Sequence, residues 1–164
     1  NKLWWKYYIK MRDWNNIVLG SGGSARSIIL SLIHKKAKNI YLLSRNYKQS
    51  SKIIEDIKAY SELTQLHILT NNLNLGNCNL INCTPIGMLQ KTDATLITKI
   101  PKISYRAIID INYTIRNNHF NQNADVRVDG KAMFIFQALK SLDIWFESNI
   151  SDKLSYQELE KIIC

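Results

Sequence analysis

Seven residues, Gly20-Ser21-Gly22-Gly23-Ser24-Ala25-Arg26, have the types and the spacing to hold a phosphate. Gly20 permits a tight turn, and Gly22 removes the side chain that would block a pyrophosphate. Ala25 stands where a small residue lets a helix pack closely on a strand. A helix starting here would aim unpaired backbone N–H groups and the positive end of its dipole at the anion. Glycines of this kind also make ordinary strand-to-helix turns, so the flanks decide. They are of the required kind. Asn16–Gly20 is a short apolar run ending at glycine, and Ser24–Lys36 carries apolar residues at 25, 28, 29, 32 and 33, a helical face closed by basic residues.

A second position selects the cofactor. Sites for NAD carry Asp or Glu about twenty residues further on, where the carboxylate binds the ribose hydroxyls. Here the second strand, Asn39–Ser44, runs into Ser44-Arg45-Asn46, with Lys48 just beyond and no acid before Glu55. A carboxylate would repel a 2′-phosphate, whereas a guanidinium makes charge-assisted hydrogen bonds to it. The position points to NADP, against the plainer reading of Arg45 as a surface arginine.

These two elements belong to a longer alternation. Lys48–Tyr60 reads as a helix with Ile53, Ile54 and Ile57 as its stripe, and Leu66–Leu69, Asn79–Asn82 and Ala107–Ile111 read as strands. Asp129–Ser148 and Ser155–Ile163 are the closing helices, within 129–164. Residues 1–15 read as a leading helix, with Trp4, Tyr8 and Met11 on one face and Lys2, Lys6 and Lys10 on another. Such a helix could lie on a membrane; packing its aromatics on its own protein is the commoner use. Strands alternating with helices imply one α/β domain over 1–164, Rossmann-like, a three-layer α/β/α arrangement on a mostly parallel sheet.

Composition agrees and excludes much else. A chain of 164 residues is one domain, long enough to bury a core without disulfides or metal. With 46% hydrophobic and 21% charged residues it is neither disordered nor collagen-like. No apolar run is long enough to span a bilayer, and no signal-peptide pattern is visible. Cys78, Cys83 and Cys164 cannot all pair and lack metal-ligand spacing, which suggests a reduced, cytoplasmic protein without a metal site. The excess of 22 basic over 13 acidic residues is spread along the chain, a solvated basic surface rather than a nucleic-acid patch.

Later segments turn the general pattern into a family resemblance. Asn82-Cys83-Thr84-Pro85-Ile86-Gly87-Met88 resembles the Asn-Ala-Thr-Pro-x-Gly-Met stretch of shikimate dehydrogenases. Asp110-Ile111-Asn112-Tyr113 resembles their Asp-x-x-Tyr segment. Asp129-Gly130-Lys131-Ala132-Met133, with Gln137-Ala138 and Trp145 beyond, resembles their Asp-Gly-x-Gly-Met…Gln-Ala…Trp helix. With the glycine turn and Ser44–Asn46, these segments keep the family's order over about Ile17 to Phe146. The resemblance is to the C-terminal, NADP-binding domain of that family.

It implies reversible reduction of 3-dehydroshikimate to shikimate by NADPH, on the way to the aromatic amino acids. Gly20, Ser21, Gly22, Gly23 and Ser24 would hold the pyrophosphate, beside Ala25 and Arg26. Ser44, Arg45 and Asn46, with Lys48, would hold the adenosine phosphate. Cys83, Thr84 and Pro85 would run beneath the cofactor. Ile111, Gly130 and Met133 would border the nicotinamide, with Gly130 leaving space for the flat ring. Tyr113 and Gln137 would reach the substrate. Cys83 has no partnered histidine within the motifs, so its expected role is packing rather than nucleophilic attack.

The chain departs from the family pattern at Gln49, where a second basic residue is usual, and at Ala132, where the second glycine stands. Thr114 and Ile115 replace a proline-containing turn. In the family a preceding N-terminal domain supplies the substrate pocket and a Lys–Asp pair, and the stretch 1–15 cannot replace it. The expectation is a cofactor-binding half with no catalytic residue of its own, needing that domain or a second chain. A non-catalytic NADP-binding or regulatory module, and a basic nucleic-acid binder without a recognisable motif, are the competing readings.

Overall fold

Runs that are apolar on both faces can be buried only between two layers of helices. Three such runs form the centre of the sheet: β1 (Asn15–Leu19), β2 (Asn39–Leu43) and β4 (Cys78–Asn82). With β3 (Gln65–Ile68), β5 (Tyr105–Asp110) and β6 (Ala124–Val128) they make a six-stranded sheet of order β3-β2-β1-β4-β5-β6. Every described pairing is parallel. The computed structural model describes residues 11–70, 75–87, 94–113 and 122–163. Helices α1 (Gly23–His34), α2 (Tyr47–Ile57), α3 (Ala94–Ile97), α4 (Lys131–Trp145) and α5 (Tyr156–Ile163) complete the α/β fold.

Alternation along β1 divides the core. Ile17 and Leu19 join Leu80, Tyr105 and Ile108 with Leu96 of α3 on one side. Val18 joins Leu42 and Ile81 with Ala25, Ile29 and Leu32 of α1 and Ile53 and Ile57 of α2 on the other. Two buried asparagines tie the incoming chain to the sheet: Asn79 Nδ2 donates to Asn16 Oδ1 (3.0 Å), and Asn16 Nδ2 donates to the carbonyls of Met11 and Trp14 (both 2.9 Å). The order reverses between β1 and β4, where α/β sheets open a crevice at the carboxyl ends of their strands.

Several boundaries differ from the sequence reading. β6 was absent from it: Asp125 and Arg127 alternate with Ala124, Val126 and Val128, the pattern of an edge strand rather than a buried run. α4 begins at Lys131, not Asp129, because the Asp129 carboxylate accepts the Lys131 N–H (3.1 Å) in a turn that precedes the helix. Residues 58–60 tighten into a 3-10 turn after α2. α1 ends at His34, where Lys36 takes a left-handed φ of 59° and the Ala37 N–H bonds the Leu32 carbonyl (3.0 Å). The short α3 was also unforeseen. Of the expected leading helix, residues 11–13 are helical and Asn15 already belongs to β1; residues 1–10 lie outside the described residues, as do Met88, Thr114, Ile115 and Cys164. Among the described residues no helix is long and apolar enough to cross a membrane.

Candidate dinucleotide site

The chain leaves β1 through Gly20, whose φ of 105° is strained for any residue with a side chain. A Cβ there would also lie 3.0 Å from Thr84 Cγ2 and 3.1 Å from the Cys83 carbonyl oxygen. The Gly20 N–H bonds the Leu43 carbonyl (2.8 Å), so the turn is pinned to the end of β2. Gly22 and Gly23 are different: a Cβ at either would meet no atom within 4 Å. Their missing side chains leave open space in front of α1.

That space faces a helix N-terminus with no acidic residue in its first turn and no side-chain cap. The first helical bond runs from the Arg26 N–H to the Gly22 carbonyl (3.1 Å). The N–H groups of Gly23, Ser24 and Ala25 therefore lack an intrahelical acceptor. Gly23 and Ser24 are exposed and Ala25 is buried, so two exposed donors, a positive dipole end and no competing carboxylate make an anion seat.

Three segments meet around it in a cleft of about 510 Å³. The glycine turn supplies Gly20, Ser21 and Gly22; the end of β2 supplies Ser44, Arg45 and Asn46; the loop after β4 supplies Cys83, Thr84 and Pro85. Ser44 Oγ lies 2.6 Å from Ser50 Oγ, and Asn46 Oδ1 caps α2 by accepting the Gln49 N–H (3.0 Å). Gln49 also lines the cleft and accepts a hydrogen bond from Ser21 Oγ (3.2 Å), a contact between turn and α2 that sequence reasoning gave no role. Lys48 is exposed in the first turn of α2, away from the cleft lining. Arg26 turns its guanidinium to Asp56 of α2 (2.7 Å), also away from the cleft.

The loop after β4 is built by buried amides. Asn82 is fully buried; its Oδ1 accepts from the Thr84 N–H (3.0 Å) and hydroxyl (2.6 Å). Its Nδ2 donates to Asp110 Oδ1 (3.0 Å) and the Ile86 carbonyl (3.2 Å). Asp110 Oδ1 also accepts the Asn112 N–H (3.0 Å). Sequence reasoning placed Asn82, Asp110 and Asn112 inside the motifs without giving them a task. The available signal was Asn82 standing two residues before Thr84 at the end of a buried strand, the spacing of an Asx turn. Burial, and secondarily the Asp110 carboxylate, push the Cys83 thiol up to about 12, so it stays protonated at neutral pH.

Ile111, Gly130 and Met133 do not line this cleft. They border a neighbouring hollow of about 100 Å³, together with Met11 and with Ile28 of α1. On its Cβ side Gly130 admits the chain's own backbone, since a Cβ there would lie 2.0 Å from the Ile111 carbonyl oxygen, while it still borders the hollow. Tyr113, half-buried, stacks on Phe134 of α4 with ring centroids 4.3 Å apart, and Gln137 is exposed one turn further along that helix.

No family profile matches the chain. It is 33% identical over 154 residues to the shikimate dehydrogenase (NADP(+)) of Clostridium beijerinckii, an alignment covering 90% of this chain and 54% of that protein. The shikimate dehydrogenase (NADP(+)) of a Prochlorococcus marinus strain is 35% identical over 148 residues, covering 79% and 50%. Among solved structures, a shikimate 5-dehydrogenase from Listeria monocytogenes in complex with shikimate and NAD superposes with a TM-score of 0.70 at 16% identity, over 98% of this chain and 61% of that one. The chain spans about half the length of the curated relatives it matches. In sequence the chain is similar to shikimate dehydrogenases over about half of their length, and it shares the fold of the corresponding part of a solved one.

Proposed function

We propose that the chain is the NADP-binding half of a shikimate dehydrogenase, a cytoplasmic oxidoreductase that interconverts 3-dehydroshikimate and shikimate. The observation that carries the reading is the open, carboxylate-free N-terminus of α1, with Arg45 on the wall of the same cleft. The residues present fit the cofactor, because the glycine positions leave room where a pyrophosphate must approach. When bound, NADP supplies the hydride acceptor and NADPH the donor.

The chain's own residues bind and orient. The exposed N–H groups of Gly23 and Ser24 take the pyrophosphate charge. Ser44 and Arg45 take the 2′-phosphate, where an acid would have repelled it. Thr84 and Pro85 form the floor, held by Asn82. Tyr113 and Gln137 approach the substrate from one side. Cys83, protonated, takes no part in covalent chemistry.

The remaining wall and the proton-handling Lys–Asp pair belong to the other half, a preceding domain or a second chain. Phe134, Phe136, Ile144 and Trp145 of α4 are exposed, Trp145 by 75%, and a second lobe would cover them. The chain alone is expected to bind NADP and to turn over no shikimate. Near-attack geometry and general acid catalysis both need groups on the far side of the substrate. Turnover restored by the other half separates this reading from a purely regulatory NADP-binding module.

Calorimetric titration of NADP and NAD tests the assignment. Arg45→Ala should weaken NADP binding by about 1.5–3 kcal/mol, roughly ten- to a hundredfold in Kd, and leave NAD almost unchanged. Equal losses for both dinucleotides would place the 2′-phosphate elsewhere.

A further inference from the structure

Asn112 follows the end of β5, where a buried apolar residue would be the ordinary choice, yet it is an amide only 6% exposed. Burying an amide is favourable only where its polar atoms find partners. The Asn112 side chain finds them on the loop after β4, and its backbone bonds the end of its own strand and the start of α4. Its N–H donates to Asp110 Oδ1 (3.0 Å) at the end of β5. Its Nδ2 donates to the carbonyls of Thr84 and Ile86 (both 3.0 Å), which flank Pro85 on the cleft floor. Its own carbonyl accepts the Gly130 N–H (3.1 Å) at the start of α4. The next residue is Tyr113, stacked on Phe134 of the same helix.

We propose that Asn112 is a positioning residue that couples the dinucleotide cleft to the Tyr113 wall, so that the pose of the Thr84-Pro85-Ile86 floor and the placement of Tyr113 change together. The inference rests on the reading of that cleft as an NADP site. Its physical basis is geometric. Pro85 has no N–H of its own, and the carbonyls on either side of it are held by two hydrogens on one planar amide. The floor cannot rotate without breaking those bonds or pulling the Asn112 backbone, and that backbone carries Tyr113 and the Gly130 contact with it. A well-satisfied buried network of this kind behaves as one unit.

The test uses the 164-residue chain with NADP as the probe. Asn112→Leu keeps the volume and removes the Asn112 donor from both loop carbonyls, leaving the Ile86 carbonyl with Asn82 Nδ2 (3.2 Å); Asn112→Ser keeps one hydroxyl donor on a shorter side chain and serves if the leucine variant does not fold. Kd for NADP is measured by calorimetry at a temperature where each variant is folded, and the Tyr113 ring resonance, assigned through Tyr113→Phe, is followed during the titration. Coupling predicts that NADP shifts the Tyr113 signal in the wild-type chain. It also predicts that the variants bind NADP about tenfold more weakly and lose that shift. A merely structural role predicts lower thermal stability with both readouts unchanged, and that result overturns the proposal while leaving the NADP reading in place. A wild-type chain that binds no NADP overturns the reading itself, and the coupling with it.

Discussion

Gly130→Ala tests chiefly one steric contact, because its backbone angle admits alanine and the capping preference against it is small beside the clash. The glycine has an ordinary φ of −79°, and as a helix N-cap alanine costs roughly 0.5–1 kcal/mol more than glycine, less than the steric penalty that follows. The added Cβ, however, would lie 2.0 Å from the Ile111 carbonyl oxygen, 2.4 Å from its carbon and 2.9 Å from the Asn112 carbonyl carbon. Carbon–oxygen contacts in proteins settle near 3.3–3.6 Å, so the two backbones must part by more than about 1 Å. Neither can yield cheaply. The Ile111 N–H is bonded to the Asn82 carbonyl (3.2 Å), and Asn112 is held on three sides. Overpacking costs about 1–3 kcal/mol, and backbone on both sides of the contact puts this case at the upper end. At about 2–4 °C per kcal/mol for a chain of this size, the melting temperature should fall by roughly 6–12 °C. Because the displaced segment holds the cleft floor through Asn112, NADP affinity should fall with it. Thermal melts followed by circular dichroism, with calorimetry on the folded variant, measure both. A melting temperature within about 2 °C of the wild type would refute the reasoning, since it would mean that Ile111 and Asn112 are not clamped.

Three further outcomes are expected. Gly22→Ala adds a methyl that meets no protein atom within 4 Å at a φ of −87°, so stability should hold while NADP affinity drops by at least about tenfold; unchanged affinity would remove the anion from the N-terminus of α1. The thiols of Cys78 and Cys83, both pushed up to about 12 chiefly by burial, should resist iodoacetamide at pH 7.5 in the folded chain and react once it is denatured; peptide-resolved mass spectrometry reads this, and rapid labelling of Cys83 would contradict its placement. The Asp143 carboxylate accepts the Ser151 N–H (2.8 Å) and hydroxyl (2.7 Å), which hold it below the ordinary value of 3.8. A depressed carboxyl contributes stability that is present above that value and lost as pH falls through the folded one. Urea melts of Asp143→Asn should therefore differ from the wild type at pH 7 and converge with it below 3.8; a gap undiminished in acid would count against the clamp.

The central strands and the first two helices were legible because their signals are local. Ile17-Val18-Leu19 is apolar on both faces and can only be interior, and the α1 stripe repeats at helical spacing. β6 was missed for the opposite reason. Its Asp125 and Arg127 gain their meaning from an edge position and from Arg106 of the neighbouring β5, which pairs with Asp125 at 2.9 Å, and neither is visible in the order of residues along the chain.

The site divides in the same way. Glycines that meet open space announce a ligand from the sequence, because their use depends on what approaches from outside. Gly130 does not: its use depends on a carbonyl nineteen positions earlier that folding brings within 2.0 Å of its missing Cβ, and a sequence pattern shared with a cofactor site suggested a ring instead. The amides behave likewise. Asn82 and Asn112 look like two polar residues at strand ends, and become a scaffold only when β4 and β5 pair and bring Asp110 between them. A motif therefore tells which segments converge on a ligand, while the hydrogen bonds that hold those segments at the right height are set by strand register. Substitutions at Asn82, Asp110 and Asn112 should for that reason disturb binding as much as substitutions at residues lining the cleft, although none of the three needs to touch the dinucleotide.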